Sequence, residues 1–108
     1  MPSILGTKIK RHREELNLTL EQLAERIGST KSYVWELENK DGARPSAEKV
    51  FRLAEALDVT AEYLMDDKQT KPKAKDADLV LFRKLQKLDQ RDKDLLQRFI
   101  ASLADDRK

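Results

Sequence analysis

The chain has 108 residues, enough for one small domain with an appendage. With 39% charged residues, 6% aromatics, three glycines and three prolines, it fits an all-helical fold and excludes a turn-rich β architecture. The absence of cysteine rules out disulfides, thiolate metal sites and a cysteine nucleophile. A net charge of +2 says little about nucleic acid. Residues 1–65 carry ten Lys/Arg against eleven Asp/Glu, and residues 79–108 carry eight against five. If the first segment binds a polyanion, its positive charges must be concentrated on one face, since their sum is no guide. The opening stretch meets Lys8 before an apolar core develops, and no apolar run reaches spanning length. The expectation is a cytoplasmic protein without membrane association.

Taken in chain order, residues 4–16 read as a first helix with Leu5, Ile9 and Leu16 on one face. Thr19 then offers an N-cap, completed to a capping box by Gln22. The second helix carries Leu20, Leu23, Ala24 and Ile27 at i, i+3, i+4 and i+7 and ends at Gly28, where a left-handed residue costs glycine nothing. Thr30 caps a third helix running to about Asn39. After a loop through Pro45, Ser46 caps a fourth helix with Val50, Leu53, Ala54 and Leu57 on one face. Thr60 caps a short fifth helix ending near Met65. Residues 66–75 contain no apparent core residue and read as an exposed linker. Residues 76–108 then form a helical hairpin. Its first helix is lined by Leu79, Phe82, Leu85 and Leu88. Its second, capped by Asp89, is lined by Leu95, Leu96, Phe99, Ile100 and Leu103.

The second helix, the turn at Gly28 and the third helix make the tightest signal in the chain. A turn this short needs glycine, and Ala24 lets the helices approach while Ile27, Val34 and Leu37 fix their crossing. Helix three then stands proud of the body, as a major-groove reader requires. At the helical period, Lys31, Ser32, Trp35, Glu36 and Asn39 share one arc of about 140°, with Val34 and Leu37 on the opposite side. That outward arc is the candidate base-reading face.

Residues 4–65 resemble the Cro/lambda-repressor-like helix-turn-helix family, often called the XRE family. The resemblance rests on Lys10, Arg13 and Leu16, on Thr19-Leu20-Glu21-Gln22-Leu23-Ala24, on Ile27-Gly28, and on Val34, Leu37, Glu38 and Asn39. It continues through Arg44-Pro45-Ser46 and through Leu53, Ala54, Leu57, Thr60, Tyr63 and Leu64. It implies a five-helix DNA-binding domain, base contacts from the residues at Lys31, Ser32 and Glu36, and an ion pair between Arg13 and Glu38. It also implies phosphate contacts near the start of helix two and in the loop after helix three. Ser29 departs from the small apolar residue frequent there, and Trp35 and Glu36 replace smaller or amide side chains.

Several residues carry two readings. Glu36 accepts from a cytosine amino group or pairs with Lys40 four residues on. Trp35 presses on a thymine methyl or packs against protein. Thr19 is a cap and also sits where a phosphate docks. Lys8, Lys10, Arg11, Lys40 and Arg44 are the remaining candidate phosphate contacts, supplying the term that makes affinity fall with salt. His12 has no second His or Cys for a metal, no nucleophile–base arrangement is present, and no cofactor is expected.

The terminal hairpin is too small to bury its own apolar faces. It either folds back on the first five helices or covers itself with another copy, giving a homodimer or homotetramer. The expected function is therefore a regulator, a repressor on a palindromic operator in double-stranded DNA. The alternative is a protein-interaction module whose terminal helices bind an antagonist protein or a toxin.

Overall fold

Each helix of the first domain starts at a hydroxyl side chain. The computed structural model of the chain describes residues 2–106. Ser3 Oγ accepts from the Gly6 amide at the head of α1 (Ile4–Glu15), and Thr19 does the same for Gln22 at the head of α2 (Leu20–Arg26). Thr30 caps α3 (Lys31–Asn39), Ser46 caps α4 (Ala47–Ala56) and Thr60 caps α5 (Ala61–Met65). Each such cap contributes about 1 kcal/mol. At Thr19 the box is complete, since Gln22 Oε1 accepts from the Thr19 amide at 2.9 Å.

Three helices end alike. Asn17, Gly28 and Asp58 all lie in the left-handed region, with φ of 57°, 67° and 57°. The following amides of Leu18, Ser29 and Val59 reach back to Arg13 O, Ala24 O and Ala54 O. This is the Schellman closure, which glycine enters freely and Asn or Asp tolerate.

The core gathers Ile9 of α1, Leu23 and Ala24 of α2 with Ile27 at its C-cap, Val34 and Leu37 of α3, Val50, Leu53 and Ala54 of α4, and Leu57, Val59, Tyr63 and Leu64. Leu16, expected on the core face of the first helix, stands 37% exposed. It lies past the last helical turn, where the chain has already bent away, and Leu18 is buried instead. The other inward positions of α1 are filled by Gly6, Lys8 and His12. α1 crosses the end of α3 at Gly6, where any Cβ would run into the carbonyl of Leu37.

Two more helices follow, α6 (Ala74–Gln86) and α7 (Gln90–Asp106), the latter begun by Asp89 Oδ1 accepting from the Asp92 amide at 2.9 Å. All regular structure among the described residues is helical, and none of these helices is long and apolar enough to cross a membrane. Residues 66–75 differ from the exposed linker read from the sequence. Gln69 is buried, and α6 begins inside that stretch at Ala74. Its carbonyls at Asp66 and Thr70 accept from Lys8 and Arg11, and Gln69 bonds to Asp76, which composition does not reveal. α6 lies against the first domain through Val80 and makes little contact with α7. The pair is thus an opened hairpin.

Candidate nucleic-acid interface

α2 and α3 meet across Ala24, Ile27, Val34 and Leu37, all buried. Around them, α4 seals the turn from behind. Lys49 Nζ donates to Ile27 O and Gly28 O at 3.2 Å, and Arg52 Nη1 reaches Ile27 O at 3.4 Å. These two cations satisfy carbonyls that α2 leaves open at its C-terminal end, where positive charge is also favoured. The sequence reading missed both. The only cue is their spacing on one face of α4, and that spacing does not say which helix end lies opposite.

From below, Arg13 grips α3. Its Nε and Nη2 donate to the two Glu38 oxygens at 2.7 and 3.0 Å, and its Nη1 donates to Leu18 O at 2.8 Å. The Glu38 side chain is 2% exposed, and its carboxylate raises the Arg13 pKa above the usual guanidinium value. One guanidinium therefore fixes α1, the start of the α2 connection and the end of α3.

Held this way, α3 presents Lys31, Ser32, Trp35, Glu36 and Asn39 to solvent, while Val34 and Leu37 face inward. Lys31, Ser32, Trp35 and Glu36 line one shallow depression, and Lys31 also borders a second one with Thr19, Leu20, Glu21 and Arg13. The two run together at Lys31, so Thr19 and the base-reading candidates share one continuous surface. Lys31 pairs with Glu21 at 3.6 Å, and Glu36 pairs with Lys40 at the same distance. Both pairs are exposed and weak, so a ligand displaces them at small cost. Trp35 is 47% exposed, and its carbonyl accepts from Asn39 Nδ2 at 2.9 Å.

The basic residues separate into two groups. Lys10, Lys40 and Arg44 are exposed. Lys10 borders a groove with Glu38 and Asn39 at the end of α3, whereas Arg44 borders another with Ile4, Pro45, Met65 and Asp67. Arg11, half-buried, borders the same groove as Lys10, whereas Lys8 does not join them. Lys8 is buried, its Nζ donating to Tyr63 O and Asp66 O at 2.7 Å and lying 4.4 Å from the centre of the Tyr63 ring. Arg11 donates to Tyr63 Oη at 2.6 Å and to Thr70 O at 2.8 Å. Both tie α1 to α5 and the segment after it, because open carbonyls there need cationic donors. Lys8, expected at a phosphate, has its ammonium committed to these buried carbonyls instead.

The apolar residues of the last two helices are largely uncovered. Leu79, Phe82 and Leu88 of the α6 stretch and Leu95, Phe99, Ile100 and Leu103 of α7 are all exposed, while Leu85 and Leu96 are half-buried.

A protruding second helix, a glycine turn and a polar outward face on a five-helix body define a helix-turn-helix protein. The family model described as "Helix-turn-helix" matches residues 9–64, more than half of the chain, and the chain belongs to that family, in its XRE-type branch. It is 34% identical over 65 residues to the HTH-type transcriptional regulator SinR of Bacillus subtilis, covering 60% of this chain and 59% of that protein. A 53-residue stretch is 47% identical to an HTH-type transcriptional regulator of Methanothermobacter thermautotrophicus, covering 49% of this chain and 75% of that one. The match thus spans under two thirds of SinR.

Among solved structures, SinR, titled the master regulator for biofilm formation, in complex with DNA superposes with a TM-score of 0.54 at 34% identity. It covers 57% of this chain and 98% of that one. The SinR–SinI complex matches with a TM-score of 0.56 over 94% of this chain and 98% of that one. At 24% identity, this second likeness shows the fold alone.

Proposed function

We propose that this chain is a sequence-specific DNA-binding transcriptional regulator, a repressor that reads a palindromic operator as a dimer or tetramer. The observation that carries the reading is the outward face of α3, where Lys31, Ser32, Trp35 and Glu36 stand in solvent on a helix fixed from three sides. Lys31 suits guanine O6 and N7, and Glu36, once freed from Lys40, suits a cytosine amino group. Thr19, Lys10, Lys40 and Arg44 are the proposed phosphate contacts. SinR in complex with DNA, similar over 57% of this chain, supports DNA as the ligand.

A single domain of this kind reads few base pairs, so a second half-site about 34 Å away supplies specificity. The uncovered residues of α6 and α7 supply the means of pairing, since each large side chain removed from water contributes about 1.5–3 kcal/mol. The same apolar face supports a second reading, docking of an antagonist protein or toxin. The fold is shared with SinR in its complex with the SinI protein, which is compatible with a protein partner of either kind.

Selection of bound sites from random duplex DNA, with a salt titration on the winner, tests the first reading. A palindrome with steep salt dependence is expected. Binding without sequence preference overturns it. Phe99→Asp separates the two roles of the apolar face. Loss of the dimer mass together with operator affinity supports self-association, and unchanged mass and affinity leaves the face to a partner protein.

A further inference from the structure

The segment between the DNA-binding domain and the terminal helices is fastened, and one carboxylate fastens it. Asp76 on the first turn of α6 is 2% exposed. Its Oδ2 accepts from the Lys73 amide at 2.6 Å and from Gln69 Nε2 at 2.7 Å, and its Oδ1 accepts from Thr60 Oγ1 at 3.2 Å. Thr60 is the cap of α5, so a single side chain joins the last helix of the first domain, the connecting segment and the start of α6. Charge-assisted bonds of this kind are roughly twice as strong as neutral ones.

The hold continues along α6. Val80 is buried, and Arg83 donates to Val59 O at 3.2 Å and to Ala54 O at 3.3 Å, at the end of α4. Lys87 pairs with Glu55 at 2.8 Å and Lys84 with Asp58 at 3.4 Å. The bonds and ion pairs of Arg83, Lys84 and Lys87 therefore all run to α4 or the turn after it, and Arg11 of α1 adds a bond to Thr70 O.

We propose that Asp76 is a positioning residue that locks α6 to the DNA-binding domain and thereby fixes the spacing between operator half-sites that the assembled protein accepts. The inference rests on the dimeric-operator reading above and adds a rule to it. Were residues 66–73 a free coil, their ends would wander over about 16 Å, from about 5–6 Å times the square root of the residue number. One base pair adds only about 3.4 Å, so a free coil would tolerate several spacings. It also rotates the second site by about 35°. A locked arm accepts one.

Two measurements on the full chain decide this. In 15N relaxation, residues 4–65 and 74–86 of the wild type should tumble as one body, and Asp76→Ala should separate them. Two independent correlation times in the wild type overturn the lock whatever the DNA result. In selection from a library with fixed half-sites and varied spacers, the wild type should favour one spacing at least about tenfold over its neighbours. Asp76→Ala should flatten that preference to within about threefold, keeping the half-site sequence and the oligomer mass. Arg83→Ala, which leaves the Asp76 bonds intact, should broaden it in part and guards against a simple folding defect. A sharp wild-type preference that survives in both variants overturns the spacing role. If the wild type selects no paired motif, the dimeric-operator reading falls and the spacing rule with it, while relaxation still decides the lock.

Discussion

Arg13 and Glu38 meet side-on through two parallel hydrogen bonds of 2.7 and 3.0 Å, with the carboxylate almost wholly out of water. The pair lies directly beneath the helix that carries Lys31 and Trp35, so its geometry sets the pitch of the reading face. Removing one partner leaves the other buried and uncompensated, which typically costs about 3–5 kcal/mol. Arg13→Ala should therefore lower the urea midpoint strongly. The double variant Arg13→Met with Glu38→Leu should recover much of that loss while reading DNA less selectively. If the double variant is as unstable as the sum of the singles, the pair is not the unit described.

A similar argument applies to Gly6, which lets α1 sit directly on the end of α3. A methyl group there would meet the backbone carbonyls of Leu37 and Glu38, and backbone has no rotamer with which to yield. Overpacking of this kind costs about 1–3 kcal/mol. Gly6→Ala should reduce thermal stability by that order and tilt α3. Gly42→Ala is the contrast. Nothing lies within 4 Å of its added carbon, so only the strain of φ 86° is felt. Thermal unfolding of the two variants checks the ranking, and equal losses would refute it.

The parts of this fold that were legible in the sequence are the local ones. Thr19, Thr30, Ser46, Thr60 and Asp89 announce helix starts because the capping oxygen and the amide it accepts lie three residues apart. The outward arc of α3 was legible because Val34 and Leu37 fix its rotation. Lys8 and Arg11 were not, since their acceptors on Tyr63, Asp66 and Thr70 lie more than fifty positions away. A long cationic side chain looks the same in sequence whether it meets solvent or a buried carbonyl. Asp76 was hidden because nothing in the sequence says that Thr60 and Gln69, on separate pieces of the chain, converge on one carboxylate.

That division among the cations gives a prediction for DNA binding. Lys40→Ala and Lys31→Ala should each lower the slope of log affinity against log salt by about one if the residue meets a phosphate. A loss confined to one operator position, with little change in slope, marks Lys31 as a base reader instead. Lys8→Ala should leave the slope alone and reduce stability, because Tyr63 O and Asp66 O lose their donor. Salt titrations of the three variants on one duplex, beside their unfolding curves, test this. A reduced slope in a fully folded Lys8→Ala would place that lysine at the DNA after all.

The single histidine of the chain gives a pH test. His12 is buried against Tyr63, its Nε2 lying 2.8 Å from the hydroxyl and its ring edge-on to the phenol. Arg11 donates to the same hydroxyl oxygen, so that proton is free to point at Nε2, leaving Nδ1–H toward Glu15 at 3.5 Å. Burial lowers the His12 pKa below its usual value, Glu15 opposes this in part, and the Arg11 and Lys8 charges add to the lowering. The folded value therefore lies below the unfolded one, about 6.5. Between the two, the unfolded chain takes up the proton more readily. This contribution to stability is complete above about pH 6.5 and is lost as pH falls through that value toward the folded one. The urea midpoint should drop between pH 7.5 and 5.5. In His12→Gln, whose amide oxygen still accepts from Tyr63, the drop should largely vanish. Parallel slopes in the two proteins would mean that the histidine is not the titrating group.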